Sequence, residues 1–177
     1  MSKLRSLAPV AIKKITWNWK HRSTLIDPAL CPLGLLNYLC TLESNSRLLD
    51  LGCGAGNLRA ALRLRGWNGR YVGVDVSRKV IEDVAATCND INAEWHISAI
   101  ENFPTFGTLF DTICFCESIC YVKVGSVSSL LGRCRESLVS GGRIVVRICD
   151  ANRHREYVSL LNELGFKADP PIYVLDT

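Results

Sequence analysis

The sequence has no run approaching the roughly 18 consecutive apolar residues that cross a bilayer, because Asp, Glu, Arg or Lys interrupts each hydrophobic segment within a few positions. No membrane partner is expected from it. Nor does its length leave room for a second large domain: 177 residues stand against roughly 150 per domain. Internal repeats and low-complexity segments are absent, and a composition of 48% hydrophobic and 21% charged residues excludes disorder, collagen and coiled coil. The C-x-x-C pairing of a zinc ribbon is missing, and nine cysteines, an odd number, do not make a disulfide scaffold in a chain of this size. A reducing, cytoplasmic setting is expected. The densest cluster, Cys114-x-Cys116-x-x-x-Cys120, has neither zinc spacing nor the third cysteine a radical iron–sulfur centre needs, so it reads as core packing with no metal.

Acid is scarce at the start: no Asp or Glu precedes Asp27. Residues 1–46 carry Lys3, Arg5, Lys13, Lys14, Lys20 and Arg22 against Asp27 and Glu43, which accounts for the whole net charge of +4. Such a basic segment suits an anionic substrate, a nucleic acid or a targeting address. Pro9 and Lys13-Lys14 break the pattern of a secretory signal. A mitochondrial address remains a minor alternative, disfavoured by scarce Arg and by Trp17 and Trp19, which look like packing residues. Pro28 and Pro32 mark a break before a helix from about Leu33 to Leu42.

From residue 47 strands and helices alternate. Strands are expected over Arg47–Leu51, Arg70–Val76, Ala93–Ser98, Phe110–Cys116, Arg143–Cys149 and Pro171–Leu175. Helices are expected over Asn57–Arg65, Arg78–Cys88 with Ser77 as cap, Ser126–Val139 ended by Gly141-Gly142, and Asn152–Leu164. This alternation predicts an α/β doubly wound sheet with a mostly parallel core, whose ligands bind at the carboxyl ends of the strands. Asp169-Pro170-Pro171-Ile172-Tyr173 resembles the D-P-P-Y signature of amino-methylating DNA enzymes, but it follows the last helix and reads as a loop entering the final strand.

The most specific feature is Asp50-Leu51-Gly52-Cys53-Gly54-Ala55-Gly56, a glycine turn between a strand and a helix. Glycines there allow a tight turn and let a ligand approach the backbone beside a positive helix N-terminus. A dinucleotide fingerprint would need Gly at position 57, where Asn57 stands, and the phosphate loop G-x-x-x-x-G-K-[ST] occurs nowhere. Asp50 repels a pyrophosphate but suits an ammonium, which S-adenosylmethionine carries. Asp75 ends the second strand, where a carboxylate can accept both ribose hydroxyls.

On these residues the chain resembles the class I S-adenosylmethionine-dependent methyltransferases over roughly residues 47–168. Leu49 to Gly56 looks like the family's first motif, Gly73-Val74-Asp75-Val76-Ser77 like its second, Phe110-Asp111-Thr112-Ile113 like the start of its fourth strand, and Gly141-Gly142-Arg143 and Leu164-Gly165-Phe166 like its punctuation. The resemblance implies a Rossmann-like methyltransferase fold of six or seven strands. A core spanning residues 47–177 would hold S-adenosylmethionine and release S-adenosylhomocysteine. Residues 1–46 would form a basic helical lid or substrate segment. Two departures stand out. Ala99 occupies the place of the family's adenine-binding Asp, so Val76 and Ile100 with local backbone would hold the adenine. The family's closing antiparallel pair of strands has room here for one, leaving an edge that a partner could supply.

The resemblance assigns Asp50, Gly52, Cys53, Gly54, Gly56, Asp75, Val76, Ala99, Ile100 and Cys116 to the cofactor, with Trp19 and Arg22 reaching its methionyl carboxylate from the lid. Glu117 is the candidate carboxylate for orienting or deprotonating the acceptor, with Tyr121 and His154 as further candidates; His96 reads as structural. The Glu117-Ser118-Ile119-Cys120-Tyr121 stretch and the Trp19-Lys20-His21-Arg22 preamble are loosely similar to the NodS-like N-methyltransferases acting on amino sugars. A small-molecule acceptor, methylated on nitrogen or oxygen, is the expectation. The alternatives are an RNA or protein methyltransferase gripping its substrate through the basic segment, a non-catalytic cofactor-binding subunit, or decarboxylation or cyclisation through the sulfonium. The oligomeric state is not legible.

Overall fold

The computed structural model describes residues 26–177. Seven strands form one sheet in the order β3-β2-β1-β4-β5-β7-β6. They are β1 (Arg47–Leu51), β2 (Arg70–Asp75), β3 (Ala93–Ile97), β4 (Phe110–Cys116), β5 (Leu138–Arg147), β6 (Lys167–Asp169) and β7 (Ile172–Asp176). The first five run parallel, and β7 is antiparallel to both its neighbours. The α-helices are α1 (Leu33–Leu39), α2 (Asn57–Leu64), α3 (Arg78–Thr87), α4 (Val124–Glu136) and α5 (Arg155–Glu163).

Strand alternation divides the core in two. Leu49, Leu51, Val72, Val74, Ile113, Phe115, Ile144 and Val146 face α4 and α5. Leu48, Tyr71, Cys114 and Val145 face the opposite layer, where α1 supplies Leu35, Leu36 and Leu39 and α2 supplies Leu58 and Leu62. Both faces of the central strands are thus covered, as their near-continuous apolar sequences require. Cys114 and Cys134 are buried, Cys116 and Cys120 half-buried, and all nine cysteines are free thiols. Among the described residues no group of His, Cys, Asp and Glu could hold a metal ion, and no helix is long and apolar enough to cross a membrane.

Local signals place most element ends. Ser77 accepts a hydrogen bond from the Val80 N–H at 3.4 Å and starts α3, whose outer face carries the i,i+4 pairs Arg78–Glu82 and Lys79–Asp83. The region around Gly141-Gly142 departs from the sequence expectation. The glycine pair does not end a helix: α4 stops at Glu136 and β5 begins at Leu138, with both glycines inside the strand. The physical reason is pairing across the sheet. Gly141 donates to the Thr177 carbonyl and Thr177 donates back to Gly142, each at 2.9 Å, while a register shift between Phe110 and Thr112 absorbs the extra residues. The expected shortage of strands is corrected likewise, since β6, only three residues long, completes the antiparallel pair with β7.

Helix α1 lies within the region read as a lid, yet its Leu39 is fully buried in the core layer. Leu39→Ala should therefore cost about 2–5 kcal/mol in urea unfolding, as for any large-to-small change in a core. A loss below about 0.5 kcal/mol, ordinary for a surface site, would make α1 an accessory.

Candidate functional site

The turn after β1 is fixed from below by β2: the N–H groups of Gly52 and Cys53 both donate to the Val74 carbonyl, at 2.8 and 3.1 Å. Its three glycines have positive φ, each with a different surrounding. A Cβ on Gly52 would stand 2.4 Å from Ser118 Cβ and 3.2 Å from Ile100 Cδ1, so this position lets two other loops pack onto the turn. A Cβ on Gly56 would stand 2.4 Å from the Trp95 ring. Gly54 has nothing within 4 Å of that position and leaves its backbone open. All three substitutions carry the left-handed backbone cost of about 1–2 kcal/mol. Gly56→Ala should exceed Gly54→Ala in thermal destabilisation, because only Gly56 also meets an aromatic ring.

Asp75 closes the turn from the second strand. Its buried carboxylate accepts from the Gly54 N–H at 3.0 Å and from the Ser77 N–H at 2.8 Å. Burial raises its pKa, and these backbone bonds oppose the shift. Each oxygen keeps lone-pair capacity for a further donor.

Asp50, at the end of β1, is 1% exposed. Tyr71 donates its hydroxyl to Asp50 Oδ2 at 2.7 Å, while Oδ1 has no hydrogen-bond partner. Burial pushes the Asp50 carboxyl up to about 7, against the Tyr71 bond and with a smaller push from Asp75. Burial likewise raises the thiol of Cys53 beside it. The folded protein thus binds the Asp50 proton more tightly than the unfolded chain does. This contribution to stability is full below about pH 4 and lost as pH rises through 7. Asp50→Asn should flatten most of that loss, which amounts to about 4 kcal/mol at most, in urea unfolding followed from acid to mildly alkaline pH. Asp75 leaves a slope of the same sign.

At the carboxyl end of β4, Glu117 has φ 60, the one positive φ outside glycine among the described residues. Three contacts to β5 and its end hold it there. Its N–H donates to the Arg147 carbonyl at 3.1 Å, Oε1 accepts from the Arg147 guanidinium, and Oε2 accepts from the Cys149 N–H at 3.0 Å. Ser118 is buried and donates its hydroxyl to the Leu51 carbonyl, which presses this loop against Gly52.

Tyr121 is half-buried in the 3-10 turn Ile119–Tyr121. Tyr157 of α5 fastens that region, its hydroxyl donating to the carbonyls of Val122 at 2.6 Å and Cys120 at 3.2 Å. His154, at the start of α5, meets the Tyr157 ring at 6.0 Å. Tyr121 and His154 thus belong to one α5-anchored unit, and Glu117 to a unit anchored on β5. Cys116 is half-buried next to Glu117, Ala99 and Ile100 are buried, Ile100 against the turn, and Val76 is half-buried. His96 makes a 2.7 Å contact with Glu94. Trp19, Arg22 and His21 lie outside the described residues.

Sequence reasoning missed Tyr71, Trp95 and Arg147. A faint signal existed for Arg147: Arg143 and Arg147 sit four apart in a strand, hence on one face, and Arg147 pairs in register with Cys116, next to Glu117.

A parallel core closed by an antiparallel pair, a G-x-G-x-G turn at the end of β1 and an acid at the end of β2 define the Rossmann-like class of S-adenosylmethionine-dependent methyltransferases. Comparison with known proteins agrees. Residues 48–142, just over half of the chain, match the family model described as methyltransferase domain, and the chain belongs to that family. It is 26% identical over 136 residues to ribosomal protein L11 methyltransferase of Methylobacillus flagellatus, covering 76% of this chain and 42% of that protein. The plantazolicin methyltransferase BpumL, crystallised with a desmethyl plantazolicin analogue and S-adenosylhomocysteine, shares the fold with TM-score 0.61 and 19% identity, over 95% of this chain and 65% of that one. Coclaurine N-methyltransferase, bound to N-methylheliamine and S-adenosylhomocysteine, gives TM-score 0.57 and 22% identity over 65% of this chain. The chain spans 42% of the L11 methyltransferase and 35% of the coclaurine enzyme.

Proposed function

We propose that the chain transfers a methyl group from S-adenosylmethionine to a nitrogen or oxygen of a small molecule, in a reducing, cytoplasmic setting. The observation that carries this is the seating of Ser118 directly on Gly52, with the neighbouring Glu117 carboxylate fixed by Arg147 and the Cys149 N–H. When bound, the cofactor supplies a methyl group already activated on a sulfonium.

The residues present fit that cofactor. Gly54 leaves an open backbone, Asp75 keeps acceptor capacity for ribose hydroxyls, and the unpartnered Asp50 Oδ1 adds acceptor capacity at the end of β1 toward the ammonium. Cys53, Gly56 and Cys116 would line the same cradle. Val76, Ala99 and Ile100 would face the adenine, and Trp19 and Arg22 the methionyl carboxylate from a lid within residues 1–46. Glu117 acts by position: with both oxygens already committed to Arg147 and Cys149, it accepts a further N–H or O–H from the acceptor and aligns the nucleophile. Tyr121 and His154 border the acceptor.

A protein acceptor is the second reading, favoured by the L11 methyltransferase relative and by the excess of cations in residues 1–46. Steep loss of turnover with added salt would support it over the small-molecule reading.

Calorimetry with S-adenosylhomocysteine and a panel of amine and hydroxyl acceptors tests the proposal. Asp75→Ala should weaken the cofactor by about 1–3 kcal/mol. Glu117→Gln should spare cofactor affinity and lower turnover by about 10²-fold. Absence of cofactor binding overturns the proposal, unchanged turnover in Glu117→Gln removes that residue from the mechanism, and binding without turnover on any acceptor favours a non-catalytic subunit.

A further inference from the structure

Between β3 and β4 the chain has no α-helix, only the 3-10 turn Ile100–Asn102 within residues 98–109. A segment with so little internal hydrogen bonding needs an external frame, and one side chain of α4 supplies much of it. Arg133 donates through Nη1 to the Glu101 carbonyl and through Nη2 to the Phe103 carbonyl at 2.6 Å. Its guanidinium carbon lies 4.6 Å from the centre of the Phe103 ring. The planar fork spans two carbonyls two residues apart and lies over the ring of the second residue, Phe103, which an ammonium could not do. The Ser98 hydroxyl adds a bond to the Asn102 carbonyl at 2.9 Å.

The framed segment contains Ala99 and Ile100, and Ile100 Cδ1 lies 3.2 Å from where a Cβ on Gly52 would stand. Because position 99 carries a methyl group and not a carboxylate, Ala99 can offer a purine only its main chain, beside the Ile100 side chain. Main chain and the Ile100 side chain must already be in place.

We infer that Arg133 is a positioning residue for the wall that receives the adenine of the cofactor; this rests on the cofactor reading proposed above. Arg133 touches no reacting atom and acts through Glu101 and Phe103. It does for this segment what a helix between β3 and β4 would otherwise do.

The test uses the full chain with Arg133→Lys and Arg133→Met. Calorimetry measures affinity for S-adenosylhomocysteine and for its inosine counterpart, in which a carbonyl oxygen replaces the adenine amino group. Amide hydrogen exchange over residues 99–103 is followed without ligand. The unmodified chain should prefer the adenine ligand by about tenfold or more, and Arg133→Met should cut that preference to about threefold or less. Arg133→Lys, which keeps charge and stem, should fall between. In both variants exchange over residues 99–103 should quicken ahead of the rest of the chain. An unchanged preference in both variants, equal affinity of the unmodified chain for both ligands, or exchange that quickens uniformly would overturn the inference. If the unmodified chain does not bind S-adenosylhomocysteine, the cofactor reading falls with it; normal binding with unaltered preference in the variants sinks the role of Arg133 alone.

Discussion

One buried carboxylate ties together the two turns on which the site is built. Asp75 takes the N–H of Gly54 from the turn after β1 and the N–H of Ser77 from the start of α3. Without it, two main-chain donors in a water-poor environment would lose their acceptor, at about 1–3 kcal/mol each. The glycine turn would also lose its register against β2. Ser118 and Ile100 both pack on Gly52, so the loops after β3 and β4 take their places relative to a turn that Asp75 holds.

The opposite side of the site is organised by pairing across β4 and β5. Arg147 and the Cys149 N–H grip both oxygens of Glu117, and the backbone bond from Glu117 to the Arg147 carbonyl extends the ladder one step past the strand. A carboxylate held by two contacts, on a residue whose backbone makes a third just past a central strand, loses little freedom when a ligand arrives. That is the arrangement expected where alignment, more than proton transfer, limits a displacement.

Much of this was legible in order of sequence. The G-x-G-x-G turn, Asp75 at a strand end, Ser77 as a cap and the buried run of β4 are local patterns, and each falls where its pattern put it. What escaped depends on partners distant in sequence. Gly141-Gly142 looks like a helix stop until Thr177 pairs with it, and three-residue β6 has no pattern to read until β7 lies beside it. Trp95 reads as one strand aromatic among others, yet its ring lies over Gly56 and Gly73 and explains why both lack a side chain. Arg147 and Arg133 are, in the sequence, two of many cations. Only the fold shows that one grips a carboxylate and the other two carbonyls.

The left-handed backbone at Glu117 sets local strain against side-chain contacts at a single position. Glycine adopts φ 60 without the roughly 1–2 kcal/mol of strain that glutamate bears, but it would leave the Arg147 guanidinium and the Cys149 N–H without the carboxylate they grip, at about 1–3 kcal/mol each. Redesign of this scaffold on backbone strain alone would therefore erase a carboxylate that ties the end of β4 to β5. Libraries built on it need position 117 held constant while the rest of the surface is varied.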